Sequence, residues 1–154
     1  MGTPITEANP LRLFVSHDWA DDHDYHRVFE FLEARDHFHY RNCSRPQDPR
    51  PPTAEARREA LRAQIAGAEA VVLLAAHYAP NAEALEFMSV FAQAARKPVL
   101  VLRHFGVALP VAAALQVGAS ALLDWDGRAI VDAFRRYARG EDTAGWDVVE
   151  FTLD

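Results

Sequence analysis

One cysteine, Cys43, stands alone in this chain, so no intrachain disulfide can staple it. Basic residues are outnumbered, 16 Lys and Arg against 22 Asp and Glu. The resulting net charge of −6 gives no general pull toward nucleic acid or an anionic membrane surface. Long apolar runs are missing too: AVVLLAA at 70–76 is far below the roughly 20 residues that a bilayer span needs. The amino end MGTPITEANP has no basic start followed by an apolar stretch, so a leader is not expected and a cytoplasmic location is. Neither GxGxxG nor GxxxxGK[ST] occurs, which removes two phosphate-gripping fingerprints. No GxSxG occurs either, so Ser16 lacks the glycines of a nucleophile elbow.

What is present is a chain of 154 residues, half of them apolar, enough for one domain with a buried core. Leu11 to Ser16 reads as a buried strand, and Tyr25 to Ala34 as a helix with Asp21, Asp22 and Asp24 at its positive end. Phe38 to Cys43 is a shorter strand. SRPQDPRPP at 44–52 holds four prolines and is a loop. A helix is expected over 53–66, then AVVLLAA, whose apolar residues are continuous as in a parallel strand covered on both faces. A helix over about 81–95, the strand PVLVLRH at 98–104, a short helix over 109–117, a strand over 121–125 and a closing helix over 128–139 complete the pattern.

Strands alternating with helices predict an α/β domain of three layers, a doubly wound, flavodoxin-like sheet of five parallel strands in the order 2-1-3-4-5. Residues 1–10 form an extension, 11–139 the domain and 140–154 a tail. Within the tail, GWDVVEFTLD is expected to add an edge strand or to dock on a partner. Ligands of such a sheet sit at the carboxyl ends of strands one and three, where the order reverses. A phospho-receiver would want an Asp after strand three and a Lys after strand five, but Ala75-Ala76-His77 and Asp124-Trp125-Asp126 stand there.

FVSHDWADDHDYH at 14–26 carries four Asp and three His, dense enough to suggest a metal site. His23 and His26 share one helical face, with Asp18 or Asp22 as an oxygen ligand. The competing reading, in which the acids polarise a helix start and the histidines are solvated, is favoured because HExxH and three-His spacings are missing, so no metal is expected.

Laid out on these strand ends, five pieces in order resemble the TIR-like domains of small bacterial and archaeal proteins, the group that includes the TIR subunit of the Thoeris antiphage system. They are FVSHDW at 14–19, RNCSRPQDP at 41–49, LRAQIAGAEAVVLLAAHYA at 61–79, KPVLVLRHFG at 97–106 and DWDGRAIVDAFR at 124–135. The resemblance spans about Leu11 to Arg136. It implies cleavage of the nicotinamide glycosidic bond of NAD, as substrate rather than cofactor, to an ADP-ribose-type messenger that reaches an effector protein in antiphage defence. It also implies a catalytic glutamate on the helix after strand three, preceded by Trp-x-x-x.

The sequence departs from that pattern, since NAEALEFMSVF at 81–91 has no tryptophan. Counting from Tyr78 assigns the role to Glu86, counting back from Lys97-Pro98 reaches Met88 instead, and Glu83 is a substitute one turn earlier. Glu86 is the expected catalytic residue. Ser16, His17, Trp19, Asn42, Ser44, Asp48 and Arg103 are the expected substrate contacts: Trp19 for a ring, Ser16 and Asn42 for ribose or phosphate oxygens, Arg103 for the pyrophosphate. Trp19 as a core cap, Ser16 and Asn42 as turn formers and Arg103 as an ion-pair partner remain open beside these roles. Apolar residues nearly encircle the helix at 81–95, in keeping with family members whose sites are completed by self-association. The alternative is a TIR-like interaction or nucleotide-binding module without turnover.

Overall fold

The computed structural model describes residues 3–141. Its strands are β1 (Leu11–Val15), β2 (Tyr40–Asn42), β3 (Ala70–Leu74), β4 (Val99–Leu102) and β5 (Ala121–Leu123). Its helices are α1 (His23–Glu33), α2 (Ala54–Ala66), α3 (Ala82–Ala94), α4 (Ala113–Val117) and α5 (Gly127–Ala133). The strands form one parallel sheet in the order β2-β1-β3-β4-β5. The expected doubly wound, flavodoxin-like α/β topology is therefore present. The tail at 145–154 lies outside the described residues.

β1, β3 and β4 are inner strands; β3 and β4 are buried at every residue, which explains their continuous apolar composition, while β1 exposes Arg12. Leu13, Val15, Val72, Leu74, Leu100 and Leu102 face α1 and α5, where Val28, Leu32, Ile130 and, just past the end of α5, Phe134 meet them. The alternate residues Phe14, Val71, Leu73, Val99 and Val101 face Leu61 and Ile65 of α2, Leu85 and Met88 of α3 and Leu115 of α4. The period of two along each strand thus builds two cores.

Some boundaries differ from expectation. The apolar run after β3 does not stay extended: Ala75–His77 coil into a 3₁₀ turn, which swings His77 back over the sheet edge. α4 begins only at Ala113, because Pro110 disfavours the helical region for Leu109, and Ala112 is still extended at ψ 137°. The closing helix ends at Ala133 and passes into a π-type turn over Phe134–Ala138. On α3, Leu85, Met88, Ser89 and Ala92 face the core, while Phe87 and Phe91 stack at 6.1 Å on a flank where Val90 is 65% exposed.

Candidate functional site at the sheet reversal

In a parallel sheet each helix starts at the carboxyl edge of the strand before it, so first-turn side chains of α2 and α3 surround the point where strand order reverses. Thr53 caps α2, its hydroxyl accepting from the Ala56 amide at 3.0 Å. The turn that follows carries Ala54, Arg57 and Arg58. Across from them, Ala79, Pro80, Asn81, Glu83, Ala84 and Phe87 come from the approach to α3 and its start. Asp18 and Trp19 enter from the loop after β1, and Arg50 from the proline-rich loop. Together these residues line a cavity of about 470 Å³.

Its polar groups divide into paired and unpaired. Arg50 reaches Asp18 at 3.3 Å, and Arg57 donates to the Pro51 carbonyl at 2.9 Å. With its amide nitrogen turned toward the acceptors around it, Asn81 donates to Asp18 Oδ2 at 3.3 Å. Arg58 and Glu83 have neither hydrogen bond nor ion pair among the described residues. Three guanidiniums beside an indole and a phenyl ring suit an anion that carries a planar ring.

Trp19 is held in the left-handed region at φ 58°, a conformation that costs a non-glycine residue about 1–2 kcal/mol. Its surroundings over-determine it. The Trp19 amide donates to His17 Nδ1 at 3.0 Å, so His17 carries its proton on Nε2 and gives it to Gln64 Oε1 at 2.8 Å. The Trp19 and His17 rings also meet edge-on at 5.1 Å. Burial lowers the His17 pKa below its ordinary value, against smaller opposing effects of the Gln64 hydrogen bond and Asp18. Both its nitrogens are engaged, and it is a strut behind the cavity wall.

Ser16 is fully buried. Its Oγ accepts from the Leu74 amide at 3.0 Å and contacts His77 Nδ1 at 2.9 Å, while His77 Nε2 lies 2.9 Å from Asp22 Oδ2. This Ser-His-Asp chain resembles a hydrolytic triad in connectivity only, since its hydroxyl is sealed from any substrate.

The other expected contacts lie elsewhere. Asn42 donates to the Tyr25 hydroxyl at 2.8 Å and accepts from the Ser44 amide at 3.0 Å, and Tyr25 meets Ser44 Oγ at 2.9 Å. These side chains brace the turn after β2 against α1. Burial first of all raises the Tyr25 pKa, so its hydroxyl keeps its proton. Asp48 binds Arg45 through two hydrogen bonds, at 2.8 and 3.2 Å. Arg103 pairs with Asp124 at 3.3 Å beside a second cavity of about 630 Å³, whose lining includes His104 with a buried, unpartnered Nδ1. Glu86 is exposed and does not line the cavity at the sheet reversal; it accepts from the Tyr78 hydroxyl.

No family model and no curated protein matches this chain. The geometry has to carry the functional reading. Of the residues expected to contact substrate, Trp19 lines the cavity at the sheet reversal, and so does the substitute carboxylate Glu83. Arg50, Arg57, Arg58 and Phe87 were not foreseen. A topological signal for Arg57 and Arg58 was present, because the opening turn of the second helix lies at the reversal point. As for a metal cage, His26 turns to Asp21 at 3.0 Å and Asp22 to His77. Among the described residues no group of three or more His, Cys, Asp or Glu is placed to hold a metal ion.

Proposed function

We propose that the cavity at the sheet reversal binds a nucleotide and is the place where the chain cleaves the nicotinamide glycosidic bond of NAD, with Glu83 rather than Glu86 as the carboxylate. The observation that carries this is the gathering of Arg57, Arg58, Trp19, Phe87 and an unpaired Glu83 around one cavity. Arg57 and Arg58 take the pyrophosphate oxygens, and Trp19 and Phe87 flank a ring. Glycosidic cleavage develops positive charge on the ribose, and a carboxylate beside that carbon stabilises it while holding a hydroxyl. Glu83 suits this because it has no guanidinium or hydroxyl of its own to satisfy. Glu86 is committed to Tyr78. The product is an ADP-ribose-type messenger, which suits the defence signalling of the TIR-like proteins that the sequence resembles. Val90 and Phe91, on the flank of α3 away from the cavity lining, are the surface on which a second copy would pack.

Nicotinamide release by the full chain incubated with NAD tests the reading. Glu83→Gln is expected to slow release about 100-fold, while Glu86→Gln stays near the parent rate. Arg57→Ala and Arg58→Ala are expected to raise KM about tenfold each. Equal release by Glu83→Gln sinks the carboxylate assignment. Tight NAD binding without release makes the protein a nucleotide-binding module, the reading that the missing tryptophan before Glu86 favours.

A further inference from the structure

We infer that His77 is a positioning residue for this cavity: its imidazole fastens both ends of the loop that carries Asp18 and Trp19 and locks that loop to the opposite wall. The inference rests on the nucleotide reading for its functional consequence, and on geometry alone for the link. Ser16 begins the loop and Asp22 ends it, and both bond the same ring, at 2.9 Å to Nδ1 and at 2.9 and 3.2 Å to Nε2. One tautomer satisfies every group. The Asp22 carboxylate only accepts, so Nε2 carries the proton, and Nδ1 is left to accept the hydrogen of the Ser16 hydroxyl, whose oxygen in turn accepts from the Leu74 amide.

The two anchors are unlike. Ser16 is sealed in the core, whereas the Asp22 side chain is half exposed and also caps α1, accepting from the Tyr25 amide at 2.8 Å. The His77 side chain is 7% exposed, so these bonds compete little with water. His77 belongs to the 3₁₀ turn that runs directly into Ala79, Pro80 and Asn81 of the far wall, and the Asn81 amide donates to its carbonyl at 3.2 Å. One side chain therefore sets the distance between the walls. It also explains how a tryptophan stays at φ 58°: with both loop ends fixed, the chain between them has no room to relax.

The test labels the full chain with 5-fluorotryptophan and follows its three ¹⁹F resonances, the Trp19 signal being assigned by Trp19→Phe. Trp125, far along the sheet against Phe31 and Phe105, is the internal control. Ser16→Ala and Asp22→Ala attack the ring from opposite sides, and both are expected to shift or broaden the Trp19 resonance while Trp125 stays. Both are also expected to weaken ADP binding about tenfold at a temperature where the fold is intact. Asp22→Asn, whose single amide oxygen can keep the cap while its NH2 turns a donor toward Nε2–H, is expected to move the Trp19 resonance as Asp22→Ala does, which separates loss of the link from loss of the cap. An unmoved Trp19 resonance, or one that moves together with Trp125, overturns the inference. So does movement with only one of the two alanine variants, which traces to a local loss rather than to a shared link. If the parent chain fails to bind ADP while both variants still move Trp19, the link stands and the nucleotide reading falls.

Discussion

His17 shows how far a residue's surroundings outrun its type. A histidine after a strand looks like a catalytic candidate, yet here a backbone amide fills one nitrogen and Gln64 the other. Because burial puts its pKa below the ordinary 6.5, the unfolded chain takes up this proton first as pH falls. Folded stability is then lost as pH drops from 6.5 toward the lowered value, and none of this component is lost above 6.5. His17→Gln, which does not titrate, is expected to flatten the slope of stability against pH below 6.5, read from urea unfolding at stepped pH. Ser16 and Asn42 tell a similar story. Their types suit ribose oxygens, but each spends its polar atoms inside the protein. A residue's free valences are counted only when its neighbours are known.

At the scale of elements, periodicity was readable because it is local. Continuous apolar runs marked β3 and β4, and the helix expected over 53–66 is present as α2, with Thr53 as its cap. That cap is the first link between helix stability and the cavity, since the turn it secures holds Arg57 and Arg58. Thr53→Ala is expected to cost about 1 kcal/mol, seen as a Tm lower by roughly 3 °C. Helix phase also separates the two glutamates of α3. Glu83, Ala84 and Phe87 share the face toward the cavity, whereas Glu86 lies off that face. Counting residues from a motif points to 86, while the rotation of the helix against the sheet turns 83 toward the cavity.

For the whole molecule, Arg139 closes the bottom of the sheet. Only 7% exposed, it donates to both oxygens of Glu69, at 2.6 and 3.0 Å, and to the carbonyls of Thr3, Pro4, Asn9 and Pro10. The segment that reads as an extension is thus fastened to the last turn of the fold and to the entry of β3. Burial alone would raise the Glu69 carboxyl, but hydrogen bonds from Arg139 and the Arg12 amide, with both guanidinium charges, outweigh it and hold the pKa below 4.5. Its stabilisation is complete above 4.5 and is lost as pH falls through the lowered value. Glu69→Gln is expected to cost about 3 kcal/mol at pH 7 and to remove that acid-side loss, measured by thermal unfolding from pH 7 to 3.

The sequence by itself determined the layered α/β architecture, the order of strands and the edge of the sheet where a ligand would bind. All of these follow from short-range patterns of apolar residues, turn formers and handed crossovers. Only the tertiary structure decided which polar side chains face open space. That depends on partners far apart in the chain, such as Ser16 with His77, His17 with Gln64 and Glu69 with Arg139. Buried polar groups must be satisfied by whatever folding brings within about 3 Å, and no local pattern records that pairing.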